Sequence, residues 1–267
     1  MADPLYQVRN LKLSLPDMTR KPVIGRAPQI DILKDLTFEI PKGDVLGIVG
    51  GSGSGKSTLG RALVRLLEPQ SGSIRFDGED ITHLSENMLR PMRRRFQMIF
   101  QDPMSSLNPR RTIAGIIAGP LNLQGFDRVD RRVDEALEHV GLPVAFRTRF
   151  PHELSGGQRQ RVGIARAIAL KPEFILADEI VSGLDVSNQA QVLQLLEQLV
   201  RELGLTLAFI SHDLSVIRRL CSHIIVMQHG RIVENAQTQA VFDAPEADYT
   251  KELLSAIPLP DPDQPWV

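Results

Sequence analysis

Hydrophobic positions along the chain switch between two periods. Tyr6 to Leu15 and Ile32 to Ile40 alternate apolar and polar residues, with Leu36, Phe38 and Ile40 on one face, which predicts two half-buried strands. The polar stretch from Pro16 to Gln29 between them predicts an exposed loop, and Pro41-Lys42-Gly43 a turn. Val45 to Val49 is continuously apolar and predicts a buried strand; the pattern then turns helical, with Leu59, Leu63, Leu66 and Leu67 on one stripe. Ser73 to Phe76 with Asp77-Gly78 predicts a strand and turn. Phe96 to Phe100, Phe174 to Ala177, Leu205 to Ile210 and Ile224 to Met227 predict further strands, and Arg231 to Val233 returns through a His229-Gly230 hairpin. From Gln101 to Arg149 the spacing is helical, with Val133, Leu137 and Val140 on one stripe and Gly141 as a stop. A helix is predicted from Gln158 to Leu170, and a longer one along Val192, Leu195, Leu196, Leu199 and Leu203, ended by Gly204. Past residue 235 the composition shifts: five prolines bracket one short helix, Tyr249 to Ala256, and the last residues read as a loosely held tail.

Chemistry concentrates where strands end. Between the strand at Val45 to Val49 and the following helix, Gly50, Gly55, Lys56 and Ser57 fill G-x-x-x-x-G-K-[ST], with Gly51, Ser52, Gly53 and Ser54 inside the loop and Thr58 after it. A polyphosphate needs several N–H groups aimed at it from close range, which residues lacking Cβ allow, and a helix N-terminus adds partial positive charge. Lys56 is expected to reach the β- and γ-phosphates and the Ser57 hydroxyl to take one Mg²⁺ position. Asp178-Glu179 closes a buried strand at the edge where parallel sheets bind ligands, so Asp178 is expected in the Mg²⁺ shell. Glu179, on the opposite side of the strand by alternation, is expected to face an attacking water. His212 ends another buried strand at the same edge and is expected to act there, whereas the other five histidines read as structural. Ser155-Gly156-Gly157 at a helix start fits either a second anion site or an ordinary serine cap. Arg93, Arg94 and Arg95 read as a solvated turn.

The whole-chain balance narrows the classes. At 267 residues with net charge -1, broad attraction to nucleic acid is not expected. Its longest apolar runs are strand-length, well short of the ~18 residues of a membrane span. No basic segment followed by an apolar stretch opens the chain, so a cytoplasmic location is expected. The single cysteine, Cys221, reads as a small core residue.

GGSGSGKS, FQDP, LSGGQ, FILADE, SGLD and ISHD, in this order, resemble the nucleotide-binding subunit of ATP-binding cassette (ABC) transporters, over nearly the whole chain. The resemblance implies the P-loop NTPase, ABC-ATPase form of the α/β class: a mainly parallel core sheet, an N-terminal antiparallel β-subdomain and an inserted helical subdomain. It implies an ATPase domain over 1–235, with the helical part about 102–165, and a C-terminal extension over 236–267. It implies ATP and Mg²⁺, the latter held by Ser57, Gln101 and Asp178, with Gln101 sensing the γ-phosphate and relaying to a transmembrane partner. Glu179, His212 and Gln101 would form the catalytic set. Leu154, Ser155, Gly156, Gly157 and Gln158 would close on ATP held by the opposite subunit, and Asp185 would lie at the dimer seam.

QDPMSSLNPR and ADYTKELLSAIP narrow the resemblance to oligopeptide, dipeptide and nickel importer ATPases. That implies an energy-coupling ATPase on the cytoplasmic face of the inner membrane, working with permease subunits, a second ATPase chain and, indirectly, a substrate-binding protein. Peptides are the expected cargo, with nickel complexes, glycosides or opine-like compounds as the alternative. Gly51 and Gly183 stand where the family often shows Glu and Ala, and Ile180 where Pro usually follows the catalytic Glu; none removes a functional group. No aromatic occurs from Leu11 to Thr37 to stack on adenine near Leu15, which predicts poor discrimination between ATP and GTP. A soluble cassette protein acting on DNA or ribosomes is disfavoured by the single cassette without heptads, and a non-hydrolysing partner by the presence of Glu179 and His212.

Overall fold

A computed structural model describes residues 4–20, 25 and 27–256. Part of the expected 16–29 loop and the residues after 256 lie outside it. Ten strands are described: β1 (Tyr6–Pro16), β2 (Gln29–Ile40), β3 (Val45–Val49), β4 (Ser71–Phe76), β5 (Glu79–Asp80), β6 (Phe96–Ile99), β7 (Phe174–Asp178), β8 (Thr206–Ile210), β9 (His223–Gln228) and β10 (Arg231–Gln237). Ten α-helices alternate with them: α1 (Lys56–Leu63), α2 (Glu86–Met92), α3 (Pro103–Ser106), α4 (Ile113–Leu123), α5 (Val129–His139), α6 (Gly156–Ile168), α7 (Val186–Leu203), α8 (Leu214–Leu220), α9 (Thr238–Asp243) and α10 (Asp248–Ser255).

The strands form two sheets. The smaller is antiparallel, in the order β2-β1-β4-β5, with Val8 opposite both Phe38 and Ile74. The larger runs β10-β9-β3-β8-β7-β6 and is parallel except for β10. Alternation along its strands assigns residues to two cores. Val45 and Val49 of β3 and Ile175 and Ala177 of β7 face a core shared with α4 to α8, while Leu46, Ile48, Phe174 and Leu176 face α1 and the smaller sheet. Tyr6, Phe76, Phe96 and Phe174 join the sheets, with Tyr6 and Phe174 ring centres 4.6 Å apart. Helices α4 and α5 pack on each other and on α6, burying Ile113, Ile117, Leu121, Val133 and Leu137. Helix α6 in turn lies against β6 and α7. Among the described residues no helix is long and apolar enough to cross a membrane.

Several local expectations are corrected. Helix α1 ends at Leu63 and does not run on to Leu67, because Arg65 turns left-handed (φ 52°) and the Leu66 and Leu67 N–H groups close back on the Arg61 carbonyl; Leu66 is left exposed. Helix α6 starts two residues earlier than its apolar pattern, at Gly156, since Ser155 supplies the cap, and it stops at Ile168. Phe100 lies beyond β6 and is exposed, as is Leu203 at the end of α7. The arginine run is not simply solvated: Arg93 donates to the Val64 and Arg65 carbonyls after α1, and Arg95 bridges Asp77 and Glu173. Cys221 is buried, as expected, and burial pushes its thiol pKa far up.

Candidate active site

Four parallel strands bring their C-terminal ends to one edge of the main sheet. Register pairs Ile48 with Ile210, Asp178 with Ile210, and Ile99 with Ala177, so the residues just beyond them, Gly50, His212, Glu179 and Gln101, converge. The loop after β3 is shaped by its glycines. Gly50 has φ 148°, and a Cβ there would stand 2.2 Å from the Met227 carbonyl oxygen, so only glycine fits. Ser54 is buried, its carbonyl accepting the Gly230 N–H at 3.0 Å, while Ser52 and Gly53 form the exposed crest. Gly55 precedes α1, which opens with Lys56, Ser57 and Thr58; the N–H groups of this first turn are free of intrahelical partners.

Lys56 is 7% exposed, and its Nζ donates to the Gly50 and Gly51 carbonyls at 2.8 and 2.9 Å. Burial lowers its pKa, countered by the carboxylates of Glu179 and Asp178. An anion entering the loop would give this ammonium a full charge partner in place of two carbonyl dipoles. Ser57 Oγ donates to Asp178 Oδ1 at 3.0 Å, and Asp178 is 4% exposed. Burial raises the Asp178 pKa, with the Ser57 bond, Arg61 and Lys56 pulling the other way.

Glu179 changes one expectation. It lies past the end of β7 with a left-handed backbone (φ 49°), its N–H held by the Ile210 carbonyl at 3.0 Å. Strand alternation therefore does not place its side chain; the turn does. Its half-buried carboxylate accepts from Gln101 Nε2 at 2.9 Å and lies 3.8 Å from His212 Nδ1. A non-glycine residue in this region is strained, and such strain gathers at functional sites. The predicted residues thus form two adjoining groups, Lys56, Ser57 and Asp178 around the loop, and Gln101, Glu179 and His212 around one carboxylate.

The donor set suits a hard divalent cation. Among the described residues no cluster of three or more His, Cys, Asp or Glu could by itself hold a metal. Mg²⁺ is usually bound through one or two carboxylates, the remaining positions coming from water and substrate phosphates, and Ser57 Oγ beside the buried Asp178 carboxylate matches that pattern.

The LSGGQ segment stands apart from both groups in the chain. Leu154 is buried, and Ser155 and Gln158 form a reciprocal capping box: Gln158 N donates to Ser155 Oγ at 3.3 Å and Ser155 N to Gln158 Oε1 at 3.0 Å. The cap reading of this serine is therefore satisfied within the chain, with Gly156 and Gly157 in the first turn behind it. Asp185 caps α7 by accepting Asn188 N at 2.9 Å, which holds its carboxyl below the ordinary range. Asn188 also stands where a Cβ on Gly157 would fall, 2.6 Å from its Oδ1. This residue, which no motif singles out, ties the LSGGQ helix to the Asp185 turn.

A phosphate loop after β3 and a buried acid ending β7, with parallel strand β8 between the two, define a P-loop nucleotide-binding protein. The comparisons with known proteins are more specific. The family described as ABC transporter matches residues 33–182. The chain is 52% identical over 263 residues to a putative peptide import ATP-binding protein of Brucella ovis, spanning 97% of this chain and 80% of that protein. It is 51% identical over 268 residues to the oligopeptide transport ATP-binding protein OppF of Bacillus subtilis, spanning 98% and 85%. Among solved structures it resembles the ATP-binding cassette MJ0796, a dimer in a post-hydrolysis state bound to ADP and Pi. The TM-score is 0.75 and the identity 30%, over 87% of this chain and 98% of that one. The chain belongs to the ABC transporter family and is an ABC ATPase.

Proposed function

We propose that this chain is the ATP-hydrolysing, energy-coupling subunit of a peptide importer. The observation that carries the chemistry is the Glu179 carboxylate, held between Gln101 and His212 at the sheet edge that also carries the phosphate loop. The loop from Gly50 to Thr58 holds the phosphates, with Lys56 as their charge partner. Ser57, Asp178 and Gln101 hold Mg²⁺, which when bound neutralises charge on the transferred phosphoryl group. Glu179 orients a water and takes its proton, and His212 contacts the γ-phosphate. Leu154 to Gln158 close on ATP held by a second ATPase subunit, with Asp185 at the seam, so that ATP drives dimerisation. The domain division is 1–235 for the ATPase, with helices over about 102–165 facing a permease, and 236–267 for the extension. The chain then works peripherally at the cytoplasmic face of the membrane. Peptide cargo rests on the relatives named for peptide and oligopeptide import.

Glu179→Gln tests the chemistry, because glutamine keeps an acceptor for Gln101 but cannot take a proton. Turnover should fall about 10²- to 10⁴-fold with ATP binding retained. Parent-rate hydrolysis by the dimerised variant would refute the assignment. For cargo, membranes lacking this subunit should lose uptake of labelled short peptides; loss of a metal complex or glycoside instead would overturn the peptide reading alone.

A further inference from the structure

We propose that Tyr249, on the C-terminal helix α10, is a positioning residue of the phosphate loop: its hydroxyl accepts the Gly51 N–H and makes the extension part of the nucleotide site. The inference rests on the reading of that loop as the ATP site. Tyr249 Oη lies 2.8 Å from Gly51 N, across 198 residues of sequence.

What requires glycine at 51 supports this. Gly50, Gly53 and Gly55 all have positive φ, but Gly51 is not among the residues that do, so backbone conformation does not demand it. A Cβ there would meet one atom within 4 Å, the Tyr249 oxygen, at 2.9 Å. The space at residue 51 is thus reserved for the tyrosine hydroxyl. Every polar group of Gly51 is engaged, since its carbonyl accepts Ser54 N at 3.2 Å and Lys56 Nζ at 2.9 Å. Tyr249 therefore holds the residue on which the loop turn and the lysine both rest. It leaves the N–H groups at the start of α1, which face an incoming phosphate, untouched.

The hydroxyl is delivered by a fixed arm. Glu234, on β10 and 8% exposed, accepts the Glu246 and Ala247 N–H groups at 3.1 Å each, pinning the chain just before α10. The Tyr249 ring and Leu253 then pack against the core beneath the helix. The contact path runs from the main sheet through Glu234 and Tyr249 to Gly51 and Lys56.

The test uses the full-length chain, a fluorescent ATP analogue, thermal unfolding and steady-state hydrolysis. Tyr249→Phe removes only the acceptor and should raise the nucleotide Kd and the KM for ATP about three- to tenfold, with kcat and unfolding temperature unchanged. Gly51→Ala should displace the hydroxyl and raise the nucleotide Kd at least as much, and the double variant should bind no worse than the poorer single one. Glu234→Gln, which turns one acceptor into a donor, should shift Kd in the same direction. An unchanged Kd in Tyr249→Phe, a loss explained by a lower unfolding temperature, or full additivity with Gly51→Ala would each overturn the proposal. Lys56→Ala separates the two levels: weakened binding there with none in Tyr249→Phe refutes the tyrosine alone. Undiminished binding in Lys56→Ala refutes the nucleotide site and the tyrosine assignment with it.

Discussion

Gly60→Ala perturbs the seat of helix α1, and its effect can be worked from the packing. A Cβ at residue 60 would lie 2.8 and 2.9 Å from the two Leu176 methyls and 3.0 Å from Ile210 Cδ1. Carbon atoms pack comfortably at about 3.5–4.0 Å, so helix and sheet must part by on the order of 0.5–1 Å. Leu176 and Ile210 are fully buried and have little room to yield. Overpacking of this kind costs about 1–3 kcal/mol, against which alanine regains about 1 kcal/mol of helix propensity. The net expectation is a loss of about 1 kcal/mol, or roughly 2–4 °C in unfolding temperature for a domain of this size. The functional effect should be larger, because α1 carries Lys56 and Ser57 in its first turn, and Ser57 reaches Asp178 at 3.0 Å. Since about 1 Å of misplacement can cost 10²-fold, half of that predicts about a tenfold fall in kcat/KM for ATP. Thermal unfolding and steady-state ATP hydrolysis on the same preparations check both numbers. A variant about 1 kcal/mol more stable than the parent, with unchanged turnover, would refute the reasoning.

Two further outcomes are expected. Burial raises the folded-state pKa of Asp178 above its unfolded value, so its buried charge opposes folding at pH above the folded value and ceases to do so below the unfolded one. Asp178→Asn should therefore raise the unfolding temperature of the nucleotide-free protein at neutral pH while abolishing Mg²⁺-dependent turnover, the stability gain shrinking as pH falls through that window; a destabilised variant at pH 7 contradicts this. Leu15 is half-buried opposite Ile30; if adenine packs there it meets only an aliphatic side chain, and Leu15→Tyr should tighten ATP binding about tenfold by stacking. Unchanged affinity, or strong ATP-over-GTP selectivity in the parent, would place base recognition elsewhere.

The parts legible in the sequence are those whose signal is local. Buried strands β3, β7 and β8 announce themselves as apolar runs, and the phosphate loop, Asp178-Glu179 and His212 follow directly on them, so strand ends and motifs reinforce each other. Helices α2, α8 and α9 leave no periodic signal in the sequence, because six or seven residues make too few turns to display one, and α2 carries Pro91 besides. The end of α1 depends on a left-handed Arg65 and on Arg93 reaching the carbonyls just beyond the helix, neither visible as spacing. Alternation failed at Glu179 because the strand stops one residue before it. Asn188 carries no motif, and the motif around Tyr249 gives no sign of its partner, which is remote in sequence. The one available hint is Gly51 itself, a departure from the family pattern, whose N–H meets the Tyr249 hydroxyl across 198 residues.

The hairpin tip at His229-Gly230 has the look of a surface turn, the usual place to graft a tag or split a chain. Here its N–H reaches the Ser54 carbonyl, its carbonyl accepts Lys34 N at 2.8 Å, and a side chain at 230 would fall 2.1 Å from the Ile32 oxygen. One residue without a side chain therefore sets the spacing between the phosphate loop and the antiparallel sheet. Anyone redesigning this protein should treat that turn as interior.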